Sequence, residues 1–478
     1  MPRNIFQNEY EWLVIFLVYN NNYYDVKFQD TKDYYTMKEQ TKYILDQIRY
    51  STYDQRVKTI FVEAQIKNKR INDNEYKALA TLSILSKESG PWLSAVDKIW
   101  RDGTSVDILT DKNSCETILK KLKDKYPAKK HMIITAGHGS IVGINYYIPG
   151  LISNVKDDSD FRENIGIYNI PMGEKKPEEL VAETVVNTDT LLYLSNKEIN
   201  DVLKNVFPDK KLDVLVMYNC LMQNVFTQFE LRESVDWLIA PISGISVPGF
   251  NYKAILDELN STPSMDGEAI AQLFINSIRA GNGYSNFKDD IEGTWKVLAL
   301  KLDKATHELI QNRFADLLSA IENVSIQYGR MPFSCIRETL RYLFNYSYYC
   351  LNSIHIIDLG VFLESLKNNI NNNYKELNAI IPFISGLQEV IINNSKQYLF
   401  EGENFYNNGI SHKEDEPDYK KHISNIAIMF PFRKFHSNLL EELFDPQNYK
   451  PSLNREFIPE FLSNDKYCQV INKIISRV

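Results

Sequence analysis

Two apolar runs that each end in a reactive side chain constrain the fold of this 478-residue chain more than any other feature. The stretch 131–140 leads into His138, which stands between two glycines, and the stretch 211–220 leads into Cys220. A continuous apolar run is typical of a strand buried on both faces of a parallel sheet. Because the carboxyl ends of parallel strands share one edge, we expect the imidazole and the thiol to meet there.

The segments on the amino-terminal side of these strands alternate between strand and helix patterns. We predict strands at 11–19 and 57–66, and helices at 36–50, 75–87 and 114–123. This alternation indicates βαβ units, in which helices cover both faces of a mostly parallel sheet. The predicted fold is therefore an α/β/α sandwich.

The chain beyond these segments has a more helical pattern. Ser195 followed by Glu198 is a capping box that predicts a helix at 195–206. Further predicted elements are a helix at 225–235, a strand at 236–241, helices at 263–279, 300–322, 337–349 and 358–373, and a late strand at 424–430. We therefore predict two regions, residues 1–285 around the two reactive strands and a largely helical region at 286–478.

Residues 141–187 do not fit the alternation of strands and helices. They contain prolines and an acidic run at 157–160, but they lack the glycine and the distal glutamate of a calcium-binding EF-hand loop. Long loops in compact domains are usually functional or disordered. We predict a long insertion at the rim of the site, without a metal ion.

Composition excludes several classes of protein. The net charge of −8 provides no basic footprint for nucleic acid, and no stretch approaches the roughly 20 apolar residues of a membrane-spanning helix. Five scattered cysteines without a CxxC pair disfavour a disulfide framework and a structural zinc site. No phosphate-binding glycine loop or HExxH motif is present, so we predict no cofactor. The first residues lack a secretory-signal pattern, and the expected location is cytoplasmic.

The chemistry of a thiol and an imidazole explains why the two strand ends are informative. Cysteine attacks a carbonyl as a thiolate and needs a base, which a histidine titrating near neutrality can be. The backbone N–H of Gly139 is then a candidate donor to the oxyanion. His138 or Cys220 alone fits a turn or packing position, but their coincidence on two core strands favours a functional pair. His131 is interpreted as a surface or strand-entry residue.

Several short motifs carry a family resemblance. They are the His138–Gly139 step, the segment 219–222, the helix that reaches Glu230, the strand 236–240, and the segments 248–252, 356–360 and 426–431. These motifs resemble those of the clostripain-like cysteine peptidases, relatives of caspases, in which the histidine also precedes the cysteine. The resemblance implies a caspase-like α/β/α sandwich, a catalytic dyad of His138 and Cys220, and peptide-bond hydrolysis through an acyl-enzyme.

The position two residues before the nucleophile departs from the family pattern. Relatives that cleave after arginine or lysine usually have an aspartate there, whereas this chain has Tyr218, and Ser243 and Gly244 in the next loop are uncharged. A basic side chain entering an uncharged pocket loses hydration at a cost on the order of several kcal/mol. We expect these three residues to bind an apolar or small P1 side chain, unless an acid such as Asp236 reaches the pocket.

The resemblance and the specificity together predict a regulatory endopeptidase that cleaves one protein partner. Family members are often activated by self-cleavage between the His and Cys strands, where 141–187 lies. Bacterial enzymes of this type are associated with defence and cell-death systems, which makes a pore-forming protein a candidate substrate. The alternative is a catalytically silent pseudo-peptidase that serves as a protein-binding platform, although retention of both His138 and Cys220 argues against it.

Overall fold

A computed structural model provides the structure of the chain. It describes residues 9–21, 37–72, 75–96, 112–137, 139, 143–147, 182–186, 192–242, 250–279, 294–295, 297–343, 349–351, 354–395, 398–400, 404–405, 424, 426–431 and 470. Within these ranges, no helix combines the length and the apolar composition needed to cross a membrane.

The described strands are β1 (Tyr10–Asn21), β2 (Val57–Asn72), β3 (Glu75–Lys87), β4 (Leu93–Ala95), β5 (Ala128–Ala136), β6 (Gly143–Tyr147), β7 (Ala182–Val186), β8 (Leu192–Ser195), β9 (Leu212–Tyr218), β10 (Val235–Pro241), β11 (Thr294–Trp295), β12 (Val297–Lys301), β13 (Tyr349–Leu351), β14 (Ile354–Asp358), β15 (Tyr398–Phe400), β16 (Asn404–Phe405) and β17 (Ala427–Pro431).

The described helices are α1 (Met37–Tyr50), α2 (Lys112–Lys125), α3 (Asn196–Val206), α4 (Val225–Leu231), α5 (Tyr252–Ser261), α6 (Gly267–Arg279), α7 (Lys304–Tyr328), α8 (Met331–Tyr342), α9 (Leu359–Asn373) and α10 (Ile381–Ser395), with a 3-10 helix at Lys375–Ile380. The predicted capping box is confirmed, because Ser195 Oγ accepts from Glu198 N and Glu198 Oε2 accepts from Ser195 N.

Ten of the described strands form one sheet in the order β15-β12-β10-β9-β5-β1-β2-β3-β4, with β7 also paired to β3. The five inner strands, from β10 to β2, run parallel to one another. Antiparallel strands extend the sheet on both sides of this parallel centre. The prediction of an α/β fold with a mostly parallel central sheet is confirmed.

Helices cover both faces of the parallel centre, as strand β1 illustrates. Leu13 and Ile15 pack in a core with α2 and α3, whereas Trp12 and Val14 pack in a second core with α1, α5 and α6. All four side chains are at most 1% exposed. A strand that is buried on both faces has no polar alternation, which is why its sequence is continuously apolar.

The register of the inner strands aligns their carboxyl ends. Ala136, the last residue of β5, is paired with Tyr218, the last residue of β9, and Ala136 also lies opposite Val18 on β1. The segments that follow β5 and β9 therefore leave the sheet side by side at the same edge.

The carboxyl half contains the long helices α7 to α10 and confirms the prediction of a largely helical region. It also supplies β12 and β15 to the main sheet, with Leu300 of β12 paired to Leu238 of β10. A separate three-stranded sheet has the order β13-β14-β17. The predicted late strand at 424–430 is observed as β17. The boundary after residue 285 stays a prediction.

Segment 75–87 corrects the sequence interpretation most clearly, because the predicted helix is strand β3. It pairs antiparallel with β2 along its length, for example Ile60 opposite Ser86. Leu82 and Ile84 enter one core and Leu85 enters the other. Alanine and leucine favour helices locally, but pairing with a neighbouring strand outweighs this small propensity.

Other boundaries also shift. Helix α4 ends at Leu231 because residues 232–234 form a turn into β10, and residues 300–301 belong to β12 rather than to a helix. Helix α8 ends at Tyr342, before the predicted end at 349. The insertion 141–187 contains strands β6 and β7, and its remaining residues lie outside the described ranges.

Candidate active site

Cys220 lies in a turn directly after the buried strand β9. Its side chain is half-buried and packs against the core that contains α2 and α3. The strand places it at the carboxyl edge because residues 212–218 are apolar enough to be buried, whereas Asn219 and Cys220 end the ladder. A thiol at such an edge can contact both the core and an approaching substrate.

The residue after Cys220 has an unusual backbone. Leu221 has φ 67°, and it is the one non-glycine residue with positive φ within the described ranges. This left-handed conformation costs an L-residue about 1–2 kcal/mol, and such strain is concentrated at functional sites. The surrounding contacts must therefore hold the turn in place.

Asn224 provides one of these contacts. Its side chain is 1% exposed, and its Nδ2 donates to the Leu221 carbonyl oxygen at 2.7 Å. Its Oδ1 accepts from the backbone N–H groups of Phe226 and Thr227, at 2.9 and 3.0 Å, and so caps helix α4. A buried hydrogen bond contributes about 1 kcal/mol, which is comparable with the backbone strain.

The end of β5 is joined to the nucleophile segment by polar contacts. Thr135 Oγ1 lies 2.6 Å from Oδ1 of Asn219, and the Asn219 side chain is fully buried. The ladder continues one step further, because Gly137 N donates to the Tyr218 carbonyl oxygen at 3.3 Å. These contacts align residues 135–137 with residues 218–219.

Gly139 is in closest contact with the nucleophile segment. A Cβ atom on this residue would lie 2.1 Å from the Cys220 carbonyl oxygen and 2.9 Å from both Asn219 C and Cys220 N. Gly139 also forms a β-bridge with Ile144. Glycine is the residue that permits such an approach of two backbones, since it has no Cβ.

The predicted site residues fall into two groups. The structure brings Cys220 and Gly139 together, and it places Tyr218 at the end of β9, two positions before Cys220. His138, Ser243 and Gly244 lie outside the described residues. The Tyr218 side chain is 1% exposed, and its ring packs edge-to-face with that of Phe250 at 5.8 Å between centroids. Its contact with a substrate stays a prediction.

Two alternatives raised by the sequence are placed elsewhere. Asp236 lies at the beginning of β10, beside Asp213 on β9. At about 3.3 Å per strand residue, this position is about 20 Å from the carboxyl edge of the sheet, where Cys220 lies. His131 is buried rather than exposed, and its ring packs on that of Phe207. Burial lowers the pKa of His131 to about 3, with Lys210 and Lys123 acting in the same direction. This histidine is therefore neutral and remote from Cys220.

The described cysteines differ in their access to chemistry. Cys115 and Cys335 are buried, and burial raises the pKa of the Cys335 thiol to about 12. None of Cys115, Cys220 and Cys335 is in a disulfide, and within the described part of the chain no cluster of histidine, cysteine and acidic side chains could hold a metal ion. Cys220 is the more accessible thiol of these three.

Thr135, Leu221 and Asn224 were not identified from the sequence. An asparagine before an apolar run is a helix-start signal, and the sequence from Asn224 has this form. No local pattern marks Thr135 or Leu221, because each acts through a contact or backbone angle that only the fold creates.

Comparison with known proteins places these residues in a family context. The model of the clostripain family matches residues 180–423, just over half of the chain. This range contains Tyr218, Cys220 and Asn224, and it begins after His138 and Gly139.

Solved structures include distant likenesses. One is a secreted C11 cysteine protease from Bacteroides thetaiotaomicron in complex with an irreversible peptide inhibitor, at 13% identity and a TM-score of 0.41, covering 82% of this chain and 84% of that chain. Another is an inactive zymogen C11 protease from Parabacteroides distasonis, at 11% identity and a TM-score of 0.38, covering 78% and 80%. No curated protein matches the chain.

Proposed function

Because the chain belongs to the clostripain family of cysteine peptidases, we propose that it hydrolyses peptide bonds with Cys220 as nucleophile and His138 as base. The observation that carries this proposal is the contact between Gly139 and the Cys220 backbone. Gly137, on the other side of His138, hydrogen-bonds to Tyr218. Consecutive Cα atoms are about 3.8 Å apart, so both neighbours of His138 adjoin the nucleophile segment, which supports the pairing.

In the proposed reaction, His138 takes the proton of the Cys220 thiol, and the thiolate attacks the carbonyl carbon of the substrate. The carbonyl π electrons move to oxygen, and the N–H of Gly139 stabilises the resulting negative charge. When the tetrahedral intermediate collapses, the C–N bond breaks and His138 returns the proton to the departing amine. A water molecule, deprotonated by His138, then hydrolyses the thioester and regenerates the thiol.

We propose a non-basic P1 preference, in which Tyr218, Ser243 and Gly244 form an uncharged pocket. The buried aromatic contact of Tyr218 with Phe250 supports it, since no carboxylate occupies this position on β9. The distance of Asp236 from the edge also supports this proposal, since Asp236 is the example of an acid that could have reached the pocket. An arginine in such a pocket would lose its hydration without gaining a charged partner.

Labelling and peptide profiling test the dyad and the pocket together. A peptide acyloxymethyl ketone should modify Cys220 in the wild type, and Cys220→Ala and His138→Ala should each abolish cleavage of a peptide library. Full activity of either variant would refute the dyad. Absence of labelling in a folded wild type would favour a binding platform. Faster cleavage of Arg-aminomethylcoumarin than of Leu-aminomethylcoumarin peptides would refute the P1 assignment.

We further propose that the enzyme is a cytoplasmic regulatory protease with one protein partner, and that self-cleavage falls within 141–187. A narrow P1 preference suits a defence or cell-death role, with a pore-forming protein as a candidate substrate. Comparison of protein amino termini in cells producing wild type or Cys220→Ala would identify the substrate, and the intact mass of each purified protein would reveal self-cleavage. Equal termini in both cell lines would contradict the regulatory role.

A further inference from the structure

We propose that Asn224 is a positioning residue that holds the Cys220 turn in its reactive conformation. Its buried amide is shared between two elements, because Nδ2 donates to the Leu221 carbonyl and Oδ1 accepts from the first N–H groups of helix α4. The two ends of the amide have different hydrogen-bonding chemistry, so this set of partners fixes its orientation. Asn224 thus joins the nucleophile turn to a helix within the core.

The contact acts on the backbone next to the nucleophile. Leu221 follows Cys220 directly, and its φ of 67° sets the direction in which the chain leaves the thiol. A leucine released from this constraint would relax toward negative φ, which L-residues favour. The peptide between Cys220 and Leu221 would then rotate, and the Cys220 carbonyl, which lies against Gly139, would move with it.

The carboxyl half of the chain contacts Asn224 through its backbone. Ala427 on β17 forms a parallel bridge with Asn224, and Asp358 on β14 is paired with Ala427. The Asp358 carboxylate is fully buried and accepts from both the backbone N–H and the hydroxyl of Ser424, each at 2.9 Å. A continuous set of backbone pairs therefore connects β14, β17 and the residue that orients the turn.

A positioning role predicts a particular kinetic signature. On the proposed function, other residues contact the substrate, so loss of the amide should affect the chemical step and leave ground-state binding almost unchanged. Misplacement of a reacting atom by about 1 Å can lower a rate about 100-fold. We expect a fall in kcat of at least about tenfold, with a KM within about twofold of wild type.

Asn224→Ser separates positioning from capping. Serine caps helices about as well as asparagine, but its single Oγ replaces two separate polar atoms, so we expect it to keep the cap and to lose the hydrogen bond to the Leu221 carbonyl. Asn251→Ser is the matched control, because Asn251 caps α5 through Oδ1 to Ala254 N at 3.1 Å, and the substitution is the same. Two readouts are compared: steady-state cleavage, and the rate at which iodoacetamide alkylates Cys220, followed by peptide mass spectrometry.

The expected result for Asn224→Ser is a lower kcat, an altered alkylation rate and a modest fall in the thermal midpoint, because the buried hydrogen bond to Leu221 is lost. Asn251→Ser should keep the wild-type kcat and alkylation rate. Wild-type kcat and alkylation in a folded Asn224→Ser would overturn the proposal. If this variant does not fold, Asn224→Asp keeps the cap and removes the donor, and the same criteria apply. The kinetic readout rests on the proposed function, but the alkylation readout does not. An inactive wild type would refute the peptidase activity, and the alkylation rate of Cys220 would still test the positioning role.

Discussion

Substitution of Gly139 by alanine tests whether the two strand ends act as one site. The added Cβ would lie 2.1 Å from the Cys220 carbonyl oxygen, whereas an ordinary van der Waals contact begins near 3.4 Å. The two segments would therefore have to separate by about 1.3 Å. All three of the nearest atoms belong to the backbone of Asn219 and Cys220, so no change of side-chain rotamer relieves the clash.

The size of the effect follows from this displacement. Overpacking of this kind costs about 1–3 kcal/mol of stability. A movement of about 1 Å at a reacting group lowers the rate about 100-fold, equivalent to roughly 2.7 kcal/mol of transition-state stabilisation. We therefore expect Gly139→Ala to lower kcat/KM about 100-fold, together with a modest fall in the thermal midpoint.

The assay is steady-state cleavage of the best library peptide, with a thermal melt of the same sample. Gly386→Ala is the matched control, because Gly386 lies within α10 and a Cβ there meets no atom within 4 Å. The control should keep wild-type kcat/KM and gain up to about 1 kcal/mol of stability, since alanine is the better helix former. A folded Gly139→Ala with wild-type kcat/KM would refute the contact between the strand ends as part of the active site.

Two further substitutions probe the sheet below the site. His131→Leu should reduce the acid sensitivity of folding: a free imidazole titrates near 6.5 and the buried one near 3, so the native state loses about 1.4 kcal/mol per pH unit as the pH falls between these values. Urea titrations at pH 7.5 and pH 5 measure the loss of unfolding free energy between the two pH values, and this loss should be about 2 kcal/mol smaller in the variant than in the wild type. An equal loss of unfolding free energy in both proteins would contradict the buried neutral imidazole. Thr135→Val removes the hydroxyl that contacts Asn219, so it should lower the free energy of unfolding by about 1–3 kcal/mol and also lower kcat. Thr135→Ser keeps a hydroxyl and should keep the unfolding free energy and kcat near wild type. Equal stability of the valine and serine variants would show that this hydroxyl is dispensable.

The strand ends could be predicted because their signal is local. Residues 212–218 are apolar except for Asp213, and all but Asp213 are buried in the structure. The cysteine after it was recognised by residue type, and the capping box at Ser195 was readable from two residues three positions apart. Each of these features depends on neighbours in sequence, which a single chain displays directly.

The features that were missed depend on distant partners. Strand β3 has helix-favouring alanines and leucines, and its true state follows from pairing with β2 and β4. Thr135 and Asn219 are 84 positions apart and meet because the register of β5 and β9 aligns them. The left-handed backbone of Leu221 has no signature in residue type, since leucine rarely adopts it. Such properties arise from the assembled sheet.

The turn after β9 also explains how chemistry and substrate choice can be separated in this site. Residues two apart on a strand share a face, yet Tyr218 packs in the core of α5 and α6, whereas Cys220 packs in the opposite core. The change of layer occurs where the strand ends, between Tyr218 and Cys220. On the proposed assignment, Tyr218 influences the P1 pocket from one layer, and Asn224 holds the nucleophile from the other. Because Tyr218 and Cys220 pack in different cores, we expect the pocket to vary without moving the thiol.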